Sequence, residues 1–442
     1  MMGEISNSNW YATMKARARS EFATGHWPLV TEEEWRRSDV SKLGLDVFIG
    51  AAGPGSAGFT ASLSPGALSA GLRLSPARDL SAVGPESSSA AALRAHIESS
   101  LDQGDRFAAW NLAEGEAWVL ELPAGFIATE PIVVDCAISG RAAHPRLMVA
   151  AGPGSQADIV YRLAANTGAG AVVATNAGAA KGVATIAGAG GIVAGTPPPK
   201  LSGPCLVNSA VGLWLGEGAI VKFFESRESD DEALWFVEEK ASLSRDARLL
   251  HFTVDSSGRF VKSRVECALE GSGADADLDG IFYGSSGRQL DLRTVQRHVA
   301  PRATSRALYK GALDWGGRSV FQGLIEVAKE ASGTDAFLAN RNLVLGAGAR
   351  ADSIPTLRIG NNDVRCSHGS TTGKLSEAEV FYLESRGFDR EAARELLVLG
   401  FFNELLDLAP AVFSEPVARR LAERLGSASR LERAKARAGK AA

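Results

Sequence analysis

Between Phe107 and Ile359, short apolar runs follow one another, each closed by a turn residue, with no helical period separating them over about 250 residues. Trp118-Val119-Leu120-Glu121-Leu122 before Pro123 and Pro131-Ile132-Val133-Val134 open the series. Ala219 to Phe224, Ala233 to Val237, Arg248 to Val254 and Ser319 to Ile325 continue it. A doubly wound sheet needs a helix after nearly every strand, which this pattern does not supply. A long train of evenly spaced strands fits a sandwich, a barrel or a β-solenoid. At this length the solenoid stacks its rungs with the least topological difficulty.

The flanks read differently. Trp10 to Phe22 fits an amphipathic helix, Thr31 before three glutamates offers a second helix start, and Ala90 to Leu101 a third short helix. Gly53 to Ser89, rich in small residues and Pro, reads as loop. After Leu375, Ser376-Glu377-Ala378-Glu379 is a capping-box pattern, and Arg386-Gly387 closes that helix. Asp389 caps another, whose Ala393, Leu396, Leu397, Gly400, Phe401, Leu405 and Leu408 predict one buried stripe ended by Pro410. Ser414 and Pro416 open a last helix. Its tail from Arg419 to Lys440 carries eight basic and two acidic residues and reads as a solvated, fraying end.

Composition excludes more than it selects. With 47 basic against 51 acidic side chains, the formal charge of -4 gives no electrostatic case for nucleic-acid binding. Four cysteines in 442 residues cannot build a disulfide framework. The start lacks a secretion-signal pattern, and no run is apolar enough to span a membrane. A soluble, cytoplasmic protein is expected. No GxxxxGK[ST] loop is present, so the chain is not expected to hydrolyse ATP itself. Gly168 to Ala174 imitates a dinucleotide fingerprint but does not run on into a helix, and reads as low-complexity turns.

The chemistry gathers at Asn361-Asn362-Asp363-Val364-Arg365-Cys366-Ser367-His368-Gly369-Ser370-Thr371. On an extended backbone the thiol and imidazole, two residues apart, project to the same side. Cys366 and His368 are then a soft S/N pair suited to iron, zinc or Cu(I), and two ligands cannot close a site alone. The alternative is a strand end with Cys366 packed and His368 hydrogen-bonded. Cys136, Cys205 and Cys267 read as inert core residues, and His251 and His298 as packed or hydrogen-bonded.

The run from Asp363 to Thr371, with Val380 to Gly387 and Leu399-Gly400-Phe401, resembles the C-terminal signature of the SufB/SufD family, scaffold components of the Suf iron–sulfur cluster assembly machinery. Thr304 to Gly311 with Val320 to Gly323 resembles the family's late rungs. Phe107 to Asn111, Leu122 to Gly125 and Glu130-Pro131-Ile132 resemble its first strands. Trp27-Pro28 and Glu34-Trp35-Arg36 resemble the start of the SufD branch. The SufB branch carries a cysteine where Arg358-Ile359-Gly360 stands here, and Glu-His-Glu in place of Ser367-His368-Gly369. The resemblance is therefore to SufD. The Gly/Ala-rich run from Ala164 to Pro199 departs from the family pattern and reads as an irregular or inserted rung region.

The resemblance implies a mainly β chain: a right-handed parallel β-helix at 105–370 between helical regions at 1–104 and 371–442. It implies a non-catalytic scaffold subunit with no catalytic residues and no cofactor of its own. SufB would pair through the β-helix edges, and the SufC ATPase, the only component to use ATP, would bind the C-terminal helical domain. His368, with Cys366 as second candidate, would help hold iron or a nascent iron–sulfur cluster shared with SufB. Phe381, Tyr382, Leu396, Leu397, Phe401 and Phe402 would divide between domain core and the SufC contact. The rival readings are a β-solenoid carbohydrate-active enzyme using Asp275, Asp277 and Asp279, which also read as a polar loop, and an oxidoreductase using Gly168 to Ala174.

Overall fold

A computed structural model of the chain describes residues 10–32, 35–51, 57–63, 72–77, 94–95, 97–98, 101, 105–165, 184–187 and 204–438. Its strands are, in chain order, β1 (Ala57–Leu63), β2 (Arg73–Pro76), β3 (Glu116–Leu122), β4 (Ile132–Ile138), β5 (Ala142–Ala143), β6 (Pro145–Ala151), β7 (Gln156–Ala165), β8 (Ala184–Ala187), β9 (Leu206–Leu215) and β10 (Ile220–Glu228). They continue as β11 (Leu234–Leu243), β12 (Arg248–Asp255), β13 (Phe260–Leu269), β14 (Asp275–Gly284), β15 (Gln289–His298), β16 (Thr304–Leu313), β17 (Arg318–Val327), β18 (Thr334–Val344), β19 (Arg350–Ile359) and β20 (Val364–Gly373). The helices are α1 (Trp10–Thr24), α2 (Arg106–Glu114), α3 (Glu377–Ser385), α4 (Arg390–Leu406) and α5 (Ala411–Ala438).

From β9 onward each strand pairs in parallel with the strand two places along, building two facing ladders. One, sheet A, ends β10-β12-β14-β16-β18-β20; the other, sheet B, ends β9-β11-β13-β15-β17-β19. The expected β-solenoid is the fold, with about eight turns and helices at both ends. Inward-facing Val, Leu, Ile and Phe of both ladders fill one continuous core. Corners stack as well: Gly125, Gly154, Gly218, Asp246 and Gly273 all take positive φ, and each of the first four donates its amide to the next turn. Asp246, and Arg302 one turn beyond Gly273, are non-glycines in that column and bear the left-handed strain for keeping in step.

Several local expectations change. Phe107 to Asn111 is helix α2 rather than strand, because Asp105 caps it through the Phe107 amide and seven consecutive residues of the helix are buried. The stretch read as loop after Gly53 contributes β1 and β2, which join β4 and β3 antiparallel. Turns, not a helix, surround Thr31, with residues 33–34 outside those described. Of the Gly/Ala-rich run, only Ala164, Ala165 and β8 are described; the Gly168 to Ala174 segment lies outside. Asp275, Asp277 and Asp279 belong to β14, not to a loop.

The C-terminal helices begin as expected. Ser376 accepts from the Glu379 amide, and Asp389 from the amides of Glu391 and Ala392. The buried face of α4 is instead Ala393, Val398, Phe402, Leu405 and Leu406, with Leu396 and Leu408 exposed. That face packs with Phe413, Val417, Leu421 and Leu425 of α5 on the outer surface of sheet A, against Phe224, Phe252, Ile281 and Tyr283. Helix α5 starts at Ala411 and carries Pro416 inside it. The basic tail is helical to Ala438, and Arg420 and Arg424 anchor it to Glu228 and Asp231 at 2.5 and 2.9 Å. Among the described residues, no helix is long and apolar enough to cross a membrane.

Candidate functional site at the open end of the β-helix

Register carries the cysteine and histidine to one place. Ile159, Phe223, His251, Leu278, Ala307, Leu338 and His368 stand side by side across successive strands of sheet A. All but the last are buried, so this is an inward-facing column and His368 is its outermost member. Leu249, Ala276, Ser305, Ala336 and Cys366 form the neighbouring column. Two residues apart on β20, Cys366 and His368 have Cα atoms roughly 7 Å apart on one side of the strand.

β20 and β19 are the last strands of their ladders. Each is bonded along one edge only, to β18 and β17, so the other edge presents free amides and carbonyls. The final rung is an uncovered cross-section of the core. Leu357 and Ile359 are 36% and 41% exposed, although in register their columns continue buried Ile325 and Val327. Cys366 is half-buried and packs against the core, while His368 is exposed. Burial pushes the Cys366 thiol up, and the Asp335 carboxylate adds to it, against the Ala336 amide, which favours the thiolate. Among the described residues, no group of three or more His, Cys, Asp or Glu side chains is placed to hold a metal ion. The arrangement places a thiol and an imidazole together at the mouth.

The candidate partner residues separate. Phe381 and Tyr382 are exposed on α3, at 70% and 56%, and Leu396 on α4 is also exposed. Leu397 and Phe401 are half-buried, and Phe402 is core. His251 and His298 are buried and hydrogen-bonded, to Glu239 at 2.5 Å and to Ser305 at 2.7 Å. Cys136, Cys205 and Cys267 are buried.

Sequence reading missed two polar assemblies. Inside the lumen, Arg227 donates to Glu225 at 2.8 Å, to Asp255 at 2.7 Å and to Glu239, all at most 2% exposed. Burial pushes the Glu225 carboxyl well up; burial works the same way on Glu239, yet His251 and Arg227 hold that carboxyl low. Outside, the ammonium of Lys310 is buried under α4. An isolated Glu-Ser-Arg triplet or a lone Lys in a strand carries no signal of either, since Glu239 and Asp255 lie on other strands and Glu404 on α4.

The family profile for the SUF system FeS cluster assembly SufBD core domain matches residues 192–401. The chain carries a SufBD core. Over that stretch the chain is similar to the SufB/SufD family. An iron–sulfur cluster assembly SufBD family protein of Mycobacterium leprae is 39% identical over 184 residues, 40% of this chain and 47% of that protein. The iron–sulfur cluster assembly protein SufD of Escherichia coli is 31% identical over 196 residues, 44% of this chain and 46% of that protein. A SufBD family protein of Synechocystis is 28% identical over 208 residues, 47% and 46% of the two chains. The chain spans about half the length of the curated relatives it matches. The SufBD core includes the mouth strands β19 and β20 and reaches into α4.

Proposed function

We propose that this SufBD-family chain is a SufD-like scaffold subunit of a cytoplasmic iron–sulfur assembly complex, pairing with a SufB partner through β19 and β20. The observation that carries the reading is the open last rung, which sets Cys366 and His368 on an unpaired edge beside exposed core residues. Strand pairing by a homologous rung would satisfy the free edge and cover Leu357 and Ile359 together. The partner would also supply the donors this chain lacks, so that nascent cluster or iron is held between the two subunits as cargo. A SufC ATPase would dock on the exposed aromatic face of α3, Phe381 and Tyr382, with Leu396 beside it. ATP would enter only through that subunit, and the chain itself would perform no catalysis.

The test is co-expression with SufB and SufC partners and anaerobic iron and sulfide analysis of the purified complex. His368→Ala should assemble normally and hold far less cluster, and Phe381→Ala with Tyr382→Ala should lose SufC. A His368→Ala complex with wild-type iron and sulfide would refute the shared site.

A further inference from the structure

Two rungs below the mouth, three side chains cross the lumen. Gln296 and His298 lie on β15 of sheet B, and Ser305 lies on β16 of sheet A; all three are 0% exposed. The Gln296 amide nitrogen donates to Ser305 Oγ at 2.7 Å and to the Phe337 carbonyl of β18 at 3.3 Å. Only an N–H can serve a carbonyl, so the second bond fixes which way the amide points. Ser305 Oγ is also hydrogen-bonded to His298 Nε2, 2.7 Å away. Burial holds His298 down to about 4, which keeps the ring neutral. The chain of bonds runs from sheet B to sheet A and back.

The location connects this brace to the mouth. Ser305 is in the inward column of Ala336 and Cys366, and Phe337, whose carbonyl Gln296 holds, pairs in register with Ser367 between Cys366 and His368. Leu278, Ala307, Leu338 and Ile325 near this level of the lumen are apolar and link the walls only by packing. Hydrogen bonds in a dry interior are directional where packing is not, although Gln296 Oε1 and His298 Nδ1 find no partner in this network.

We propose that Gln296, Ser305 and His298 are positioning residues for the mouth, a hydrogen-bonded brace that sets the separation of the two lumen walls beneath Cys366 and His368. The proposal rests on the mouth being the working site, and deepens that reading by naming what keeps it in shape before a partner arrives. Without the brace, the walls keep their apolar contacts but β18 and β20 open more often, and the thiol meets water.

The test uses the isolated full-length chain, so that it does not depend on any partner. Iodoacetamide labelling of Cys366 is followed against pH by mass spectrometry, with buried Cys136, Cys205 and Cys267 as internal reporters of global unfolding. Asp335 on β18 and His368 on β20 are the titratable groups beside this thiol and stay in every variant. Ser305→Ala, and independently Gln296→Met, should speed Cys366 labelling about tenfold, the worth of roughly one net hydrogen bond in a local opening. The pH profile of labelling should also shift toward that of an ordinary thiol, with the three buried cysteines still unlabelled. Unchanged rate and profile in both variants would overturn the brace, as would labelling of all four cysteines in step. Failure of cluster assembly in an intact wild-type complex would sink the scaffold reading while leaving this result standing.

Discussion

Glu404 of α4 reaches the ammonium of Lys310 on β16, which is 2% exposed and also donates to the Phe401 carbonyl at 2.7 Å, on the same helix. The Phe401 ring lies 4.7 Å from the same nitrogen. The sheet thus buries a cation that the helix alone neutralises. Removing the whole charge and removing only its counter-charge have different consequences. Lys310→Met takes away the buried charge along with its partners' need for it, and should change stability by no more than about 1 kcal/mol. Glu404→Ala strands the ammonium and should cost about 1–3 kcal/mol. Urea unfolding of both variants tests the asymmetry, and equal losses would refute it.

Asp279, beneath the same helix, sets a pH dependence. Burial, with Asp277 and Glu404 nearby, pushes its carboxyl up to about 7, against the Leu308 amide at 3.2 Å, which favours the anion. The folded value lies above the unfolded value near 3.8, so folding takes up a proton between about pH 4 and pH 7. This residue's share of the unfolding free energy should therefore decline as pH rises through that window and stay flat above it. Asp279→Asn keeps the Leu308 contact and cannot ionise. It should match wild type near pH 4 and exceed it by a few kcal/mol at pH 8, measured by denaturant titration at each pH.

The network around Arg227 predicts a sharp contrast inside the lumen. Arg227→Met leaves Glu225, Glu239 and Asp255 buried without their cation, and should cost about 3–5 kcal/mol. Glu225→Gln should cost under about 1 kcal/mol, because burial already favours the neutral acid at that position and the amide oxygen can still accept from Arg227 Nε. Comparable losses in the two variants would show that Glu225 is ionised in the folded chain.

The solenoid was legible because its pattern repeats locally: every rung restates the same four-to-eight-residue apolar run and corner. Cys366 and His368 were legible because a separation of two residues on a strand fixes a shared side without any tertiary knowledge. What could not be read is set across rungs. Lys310 meets Glu404 over 94 positions, and Gln296 meets Phe337 over 41. Helix α2 was misread for a related reason. Phe107-Ala108-Ala109-Trp110 is apolar throughout, so it shows neither period, and the Asp105 cap decides the matter. On α4 the apolar residues outnumber one face, and the docking surface of sheet A selects Val398 and Phe402 over Leu396 and Leu408.

The mouth itself yields the most direct prediction. Ile359 ends the column of Leu269, His298 and Val327, yet is 41% exposed because no rung follows it. In the free chain a carboxylate there can stay in water, so Ile359→Glu should leave stability within about 1 kcal/mol. In a complex with a rung stacked on β19, the same carboxylate would be trapped without a partner, and association should weaken at least about tenfold. Val47→Glu, on the N-terminal segment and 58% exposed, adds the same charge away from the mouth and should leave association unchanged. Analytical ultracentrifugation of the purified chain with a SufB partner separates the outcomes. Equal weakening by both variants would point to a general charge effect, and no weakening by Ile359→Glu would mean that the partner does not sit on the open rung.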